Sequence, residues 1–137
     1  MCRERVAVKL QTATRLGLYA ILELARDPAR TLCAADLAER FDVSAHHLAK
    51  VLRTLSAAGL VQAERGASGG YRFTGNRRRV TLMDIVALFE PAPGARPKEP
   101  GEGTDIGSAL QRVLTEVDEI AEATLRSISL ETMLKAT

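Results

Sequence analysis

Tryptophan is absent from this chain of 137 residues, which also has only two Tyr and three Phe. Hydrophobic residues nevertheless make up 46% of the sequence, which is ample for a folded core and argues against global disorder. The core must therefore consist mainly of Leu, Ile, Val and Ala. An aliphatic core favours packed helices over a β-sandwich.

Cysteine is also scarce, since Cys2 and Cys33 are the only two in the chain. Two cysteines are too few for a disulfide framework. No apolar run is long enough to span a bilayer, and the N-terminus lacks the pattern of a signal peptide. We therefore expect a protein of the reducing cytoplasm with no membrane partner.

The net charge of +2 conceals an asymmetry along the chain. Residues 1–90 contain 14 Lys and Arg against 9 Asp and Glu, whereas residues 91–137 contain 5 against 8. A basic unit suits a polyanion, because neutralised phosphates release counterions. Solubility would explain so small an excess equally well.

Sequence composition divides the chain into four parts. We expect residues 1–9 to form a flexible arm, 10–90 a compact domain, 91–104 a flexible linker rich in Pro and Gly, and 105–137 a helical C-terminal part. Apolar periodicity and end signals predict six helices and two strands. The predicted helices are 10–26, 34–41, 45–58, 82–90, 105–126 and 129–136, and the predicted strands are 60–65 and 71–74.

The second and third helices have helix-turn-helix spacing. Only Asp42 and Val43 separate the second helix from Ser44, which is a good N-cap for the third. A recognition helix contacts base edges with its N-terminal residues. The candidate contacts on this helix are Ser44, His46, His47, Lys50 and Arg53. An ordinary amphipathic helix would also have a polar face, and two adjacent His are too few for a metal site.

The two strands that follow predict a wing. A glycine-rich turn, Gly66 to Gly70, joins them, and its glycines permit positive φ. Arg65 stands at the entrance, Ser68 lies in the turn and Arg72 lies on the second strand. An arginine is drawn to the negative potential of a narrow minor groove. The alternative is a surface hairpin followed by a solvated turn at 77–79.

The fifth helix has a heptad-like apolar pattern. Its apolar seam, with steps of four and three residues, comprises Ile106, Leu110, Val113, Val117, Ile120 and Thr124. Such a seam over about three heptads predicts pairing with a second chain. The alternative is an amphipathic helix packed on its own domain.

An ordered set of short segments then resembles the Rrf-two family of bacterial winged-helix regulators. The resemblance extends from Thr14 to Leu134, and the stretch from Arg65 to Tyr71 is its most specific part. The other segments are 14–20, 36–40, 43–44, 47–48, 50–52, 58–61, 80–82 and 84–85, together with Leu55.

This resemblance implies a mainly α fold with a small β-hairpin, in which a winged helix-turn-helix domain precedes a long dimerisation helix. It implies a homodimer that binds double-stranded DNA at a palindromic operator and usually represses transcription. The residues at the family's DNA-contacting positions are Ser44, His46, His47, Lys50 and Arg65.

Many members of the family sense their signal through an iron–sulfur cluster, and here this chain departs from the pattern. The segment that would carry three Cys, residues 91–104, contains no Cys, His or Asp, and Leu18 stands where some members have an Asp ligand. We expect no cofactor. Cys33, near the start of a helix, is a candidate redox thiol, although free Cys is more often a small packing residue.

Two further function classes, an enzyme and a protein-binding module, are compatible with a chain of this size. An enzyme is not expected, because the sequence offers no nucleophile–base pair and no metal spacing, and its glycine-rich stretch joins two strands rather than a strand and a helix. A winged-helix module that binds only proteins is the remaining alternative. Such a module would not need outward Lys50, Arg65 and Arg72.

Overall fold

The computed structural model describes residues 10–65, 69–91 and 98–137. The part of the chain so described is mainly helical, with one β-hairpin, as the sequence predicts. Its elements are α1 (Thr12–Arg26), α2 (Ala34–Phe41), α3 (Ala45–Ala57), β1 (Val61–Glu64), β2 (Gly70–Phe73), α4 (Leu82–Phe89), α5 (Asp105–Arg126) and α6 (Leu130–Ala136). The proposed arm at 1–9 lies outside these ranges.

A tight turn joins α2 to α3. Asp42 adopts a left-handed conformation with φ 55°, which Asp tolerates better than most residues. The N–H groups of Asp42 and Val43 donate to the carbonyls of Glu39 (3.3 Å) and Ala38 (3.0 Å). These bonds close α2 and leave Ser44 extended at the start of α3, which confirms the predicted helix-turn-helix spacing.

The end of α3 is fixed by a Schellman motif. Gly59 has φ 78°, and its N–H donates to the Ser56 carbonyl at 2.9 Å. The Leu60 N–H donates to the Leu55 carbonyl at 3.1 Å. Glycine is favoured at this position because a Cβ there would strain the backbone. Leu60 is engaged in this cap, so β1 begins one residue later than predicted.

The hairpin pairs β1 and β2 antiparallel, with Val61 opposite Phe73 and Gln62 opposite Arg72. A further contact, which the sequence did not reveal, joins β2 to the segment before α2. Leu32 and Tyr71 exchange two backbone hydrogen bonds of 3.0 and 2.7 Å. Gly70 permits this approach, because a Cβ there would lie 2.5 Å from the Leu32 carbonyl oxygen.

The core is aliphatic, as its composition predicts. Helix α1 lies at its centre, and α3, α4, the hairpin and α6 pack around it. The fully buried large side chains include Ile21, Leu24, Leu37, Leu48, Leu52, Leu55, Ile85 and Leu130. Because Leu130 belongs to this set, the C-terminal helix shares the core of the winged unit.

Backbone pairing anchors the junction between α5 and α6. The N–H of Leu82 donates to the Ile128 carbonyl, and the N–H of Leu130 donates to the Val80 carbonyl, both at 2.9 Å. Thr81 and Asp84 form the predicted capping box at the start of α4. The backbone pairing holds the segment between α5 and α6 against the start of α4.

Candidate nucleic-acid interface

The first turn of α3 is exposed and correctly capped for a recognition helix. The Ser44 Oγ accepts a hydrogen bond from the His47 N–H at 3.1 Å, which confirms Ser44 as the N-cap. Ser44, Ala45 and His46 are exposed, and His47 is half-buried. The Ser44 hydroxyl accepts in this bond, so its own proton can still be donated to a phosphate or a base.

A polar stripe continues along α3 from this turn. His46, Lys50 and Arg53 are exposed and follow at steps of four and three residues, so they lie on one side of the helix. The opposite side is buried through Leu48, Val51, Leu52 and Leu55. The Thr54 hydroxyl turns back to donate to the Lys50 carbonyl at 3.3 Å. The polar stripe therefore presents an imidazole, an ammonium and a guanidinium to solvent.

The wing presents Arg65 and Arg72 differently. Arg65 is exposed at the end of β1. The Nε of Arg72 donates to the Glu64 Oε1 at 2.9 Å, and both side chains are more than a third exposed. An ion pair so open to solvent stabilises the fold by about 0–1 kcal/mol. The turn at 66–68, including the candidate contact Ser68, lies outside the described residues.

The three consecutive arginines after the wing do not act together. Arg77 is half-buried, and its Nη1 donates to the Ala25 carbonyl at 3.2 Å at the end of α1. Arg78 forms an ion pair with Glu131 of α6 at 3.4 Å. Arg79 is exposed. Two of these three side chains thus bind other parts of the fold, which the local sequence did not indicate.

Cys33 occupies the N-cap of α2. Its Sγ accepts a hydrogen bond from the Asp36 N–H at 3.4 Å, and the residue is half-buried. The thiol therefore has a local structural role at this helix end.

The apolar seam of α5 is open to solvent. Ile106, Leu110, Val113, Val117 and Ile120, with Leu114 beside them, are between 46% and 79% exposed. No residue of α5 is buried, although Leu125 near its end packs against the core. The sequence alternative in which this helix packs along its own domain is therefore wrong for most of its length.

Within residues 10–65, 69–91 and 98–137, no helix is both long and apolar enough to cross a membrane. The same ranges contain no group of three or more His, Cys, Asp or Glu placed to hold a metal ion.

Comparisons with known proteins agree with this geometry. The family model Rrf2, described as an iron-dependent transcriptional regulator, matches residues 10–136. A protein of Rhodopseudomonas palustris named as an HTH-type transcriptional regulator, BadM, is 48% identical over 128 residues, which cover 93% of this chain and 82% of that protein.

Solved structures show the same architecture. CymR, the global cysteine regulator of B. subtilis, matches with a TM-score of 0.77 and 26% identity over 96% of this chain and 99% of its own. IscR of T. potens matches with a TM-score of 0.76 and 28% identity over 95% of this chain and 88% of its own.

The iron in the family's description has no matching ligand set here. Thiolates are the ordinary ligands of iron–sulfur clusters, and residues 91–104 contain neither Cys nor His. Leu18, where the resemblance would place a further ligand, packs against the hydrophobic core. These residues do not fit such a cluster.

Proposed function

The chain belongs to the Rrf2 family and is a DNA-binding transcriptional regulator rather than an enzyme; from this premise we propose that it binds a palindromic operator as a homodimer and represses transcription. The carrying observation is the exposed apolar seam of α5. Because a regulator must reach the chromosome, the cytoplasm is its proposed compartment.

We infer dimerisation from this seam, which is exposed in the part of the protomer that the structure describes. Monomeric proteins rarely expose a contiguous apolar patch along a whole helix, because its burial is favourable. The spacing of four and three residues suits packing against another helix. The same surface is present on every copy of the chain. Two copies related by a two-fold axis would therefore bury both seams against each other.

Two-fold symmetry then sets the form of the DNA target. Each protomer would bring one α3 to the duplex, so the two helices would enter successive major grooves. The proposed contacts are Ser44, His46, His47, Lys50 and Arg53 from α3 in the major groove and Arg65, Ser68 and Arg72 from the wing. The Ser44 hydroxyl only accepts in the helix cap, so its proton remains available to a phosphate. This supports a contact between Ser44 and DNA.

Repression is proposed because a dimer seated on a promoter excludes polymerase from the same DNA. The alternative of a protein-only module does not account for membership in a family of transcriptional regulators.

Two roles for Cys33 compete, a redox thiol and a packing residue. Its half-buried position and its bond from the Asp36 N–H favour the packing role.

The proposal is tested by selecting genomic fragments with purified protein and transcribing the strongest of them in vitro. The expected result is a small set of enriched promoter fragments whose transcription falls as protein is added. Enrichment of no sequence above random DNA would contradict operator binding. Increased transcription would contradict repression alone.

A further inference from the structure

Glu64 and Arg72 lie on adjacent strands of the wing but are not register partners. Arg72 pairs with Gln62, and Glu64 lies two residues further along β1 toward the turn. The bond from Arg72 Nε to Glu64 Oε1, at 2.9 Å, therefore directs the guanidinium toward the turn end of the hairpin. That is the end that carries Arg65.

The bond engages only part of the guanidinium. Arginine has five N–H donors, and Nε carries one of them. Among the residues that the structure describes, Arg72 donates to Glu64, and it does so through Nε alone. The Nη groups can therefore still meet a phosphate.

The carboxylate also changes the charge of the wing. Glu64 offsets one of the two cations, Arg65 and Arg72, that the wing would present to DNA. A phosphate that approaches Arg72 is repelled by the carboxylate bound to it. Charge attraction supplies essentially all of non-specific binding, whereas operator binding also draws on contacts to base edges. This repulsion should therefore weaken non-specific binding by a larger share.

We propose that Glu64 is a specificity-determining residue of the wing, which holds Arg72 through Nε and weakens its attraction to non-specific DNA. This inference rests on the proposed function. It predicts that Glu64 lowers affinity for random duplexes more than affinity for the operator. The pair is too exposed for its main role to be stabilisation of the fold.

Glu64→Gln tests this, because glutamine retains an acceptor for Nε but loses the charge. Binding of the full chain is titrated against salt on the strongest selected genomic fragment and on a random duplex of equal length. We expect random-duplex affinity to rise roughly 3- to 10-fold at low salt, with a log–log salt slope steeper by about 0.9 per protomer. Operator affinity should rise less, so that the specificity ratio falls.

Arg72→Ala supplies the decisive background. In it, Glu64→Gln should raise random-duplex affinity clearly less than it does in the wild-type background, because only the direct repulsion between the carboxylate and phosphate remains. Glu119→Gln, an exposed change of equal charge on α5, is the matched control and should leave the specificity ratio unchanged. Unchanged thermal melting shows that each variant is folded.

Three outcomes would overturn the proposal. The first is that the wild-type protein binds DNA with a steep salt slope but Glu64→Gln leaves the specificity ratio unaltered. In that case the proposed function survives. The second is a gain in the Arg72→Ala background as large as the gain in the wild-type background, because Glu64 would then act by general repulsion and not through Arg72. The third is wild-type protein that binds no duplex in a salt-dependent way, which contradicts the proposed function as well.

Discussion

Thr14 and Glu90 are hydrogen-bonded across 76 residues of sequence, with the fully buried Thr14 hydroxyl donating to the Glu90 carboxylate. The same carboxylate oxygen accepts from the Gln11 N–H at 3.1 Å, at the N-cap of α1. Glu90 follows α4 directly and begins the segment that leads to α5. This residue thus ties the start of α1 to the end of α4.

Replacing Thr14 with Val should therefore destabilise the protein. The substitution keeps the side-chain shape but removes a buried donor to a carboxylate, and we expect a loss of about 1–3 kcal/mol. Urea unfolding at fixed protein concentration measures it. Thr115→Val on the exposed side of α5 is the matched control and should cost less than ~0.5 kcal/mol. Equal losses in both variants would contradict a specific role for the Thr14–Glu90 bond.

Gly70→Ala should destabilise the protein more than Gly17→Ala. The new Cβ at residue 70 would meet the Leu32 carbonyl oxygen at 2.5 Å, and backbone cannot easily yield. At residue 17 it would meet the Phe89 ring at 2.4 Å, and a side chain can shift. We expect losses of roughly 2–4 and 1–3 kcal/mol, respectively. Thermal or urea unfolding of the two variants measures both losses. A larger loss for Gly17→Ala than for Gly70→Ala would mean that the Leu32–Tyr71 pairing is dispensable.

These contacts mark the limit of what the sequence could predict. The caps at Ser44, Gly59 and Thr81 were found because each depends on residues within three or four positions. The Thr14–Glu90 bond and the Leu32–Tyr71 pairing join distant segments, and no local pattern specifies such partners. Arg77 illustrates the same limit, since its acceptor at Ala25 is 52 residues away.

The spacing of apolar residues predicts the seam of α5, but it does not predict whether that seam is exposed. A heptad spacing is equally compatible with packing on the same chain. Only the structure shows that Ile106 to Ile120 have no cover within the described protomer.

Val113→Glu should break the dimer and leave the winged unit folded. A charge in the middle of an apolar interface is costly to desolvate, and we expect dimer affinity to fall by at least about 3 kcal/mol, or more than ~100-fold. Light scattering at several protein concentrations measures the mass. Gln111→Glu, an exposed change of similar size off the seam, should remain dimeric. A monomeric wild type, or a dimeric Val113→Glu, would contradict the proposed interface.

Arg65→Ala should weaken DNA binding by about 1–3 kcal/mol, because an exposed guanidinium at the wing entrance is lost. The salt slope should become shallower by about 0.9 per protomer if the contact is to phosphate. Arg126→Ala, which removes an exposed arginine from the last turn of α5, is the control for net charge. Similar losses in the two variants would mean that general charge, not the wing, is responsible.

Cys33→Ser should leave DNA binding and its response to oxidant unchanged if the thiol only caps α2. Serine is itself a good N-cap and should accept from the Asp36 N–H in the same way. Binding to the selected fragment is compared before and after peroxide treatment. An oxidant response that wild type shows and Cys33→Ser lacks would establish the redox role instead.

Hydroxyl-radical footprinting of the wild-type protein on its strongest selected fragment tests the central claim most directly. A homodimer with two α3 helices should protect two patches related by a dyad, with centres separated by about one helical turn of DNA, roughly 34–36 Å, or a multiple of it. Two protomers should be bound per fragment. A single patch without a dyad, occupied by one protomer, would contradict the account.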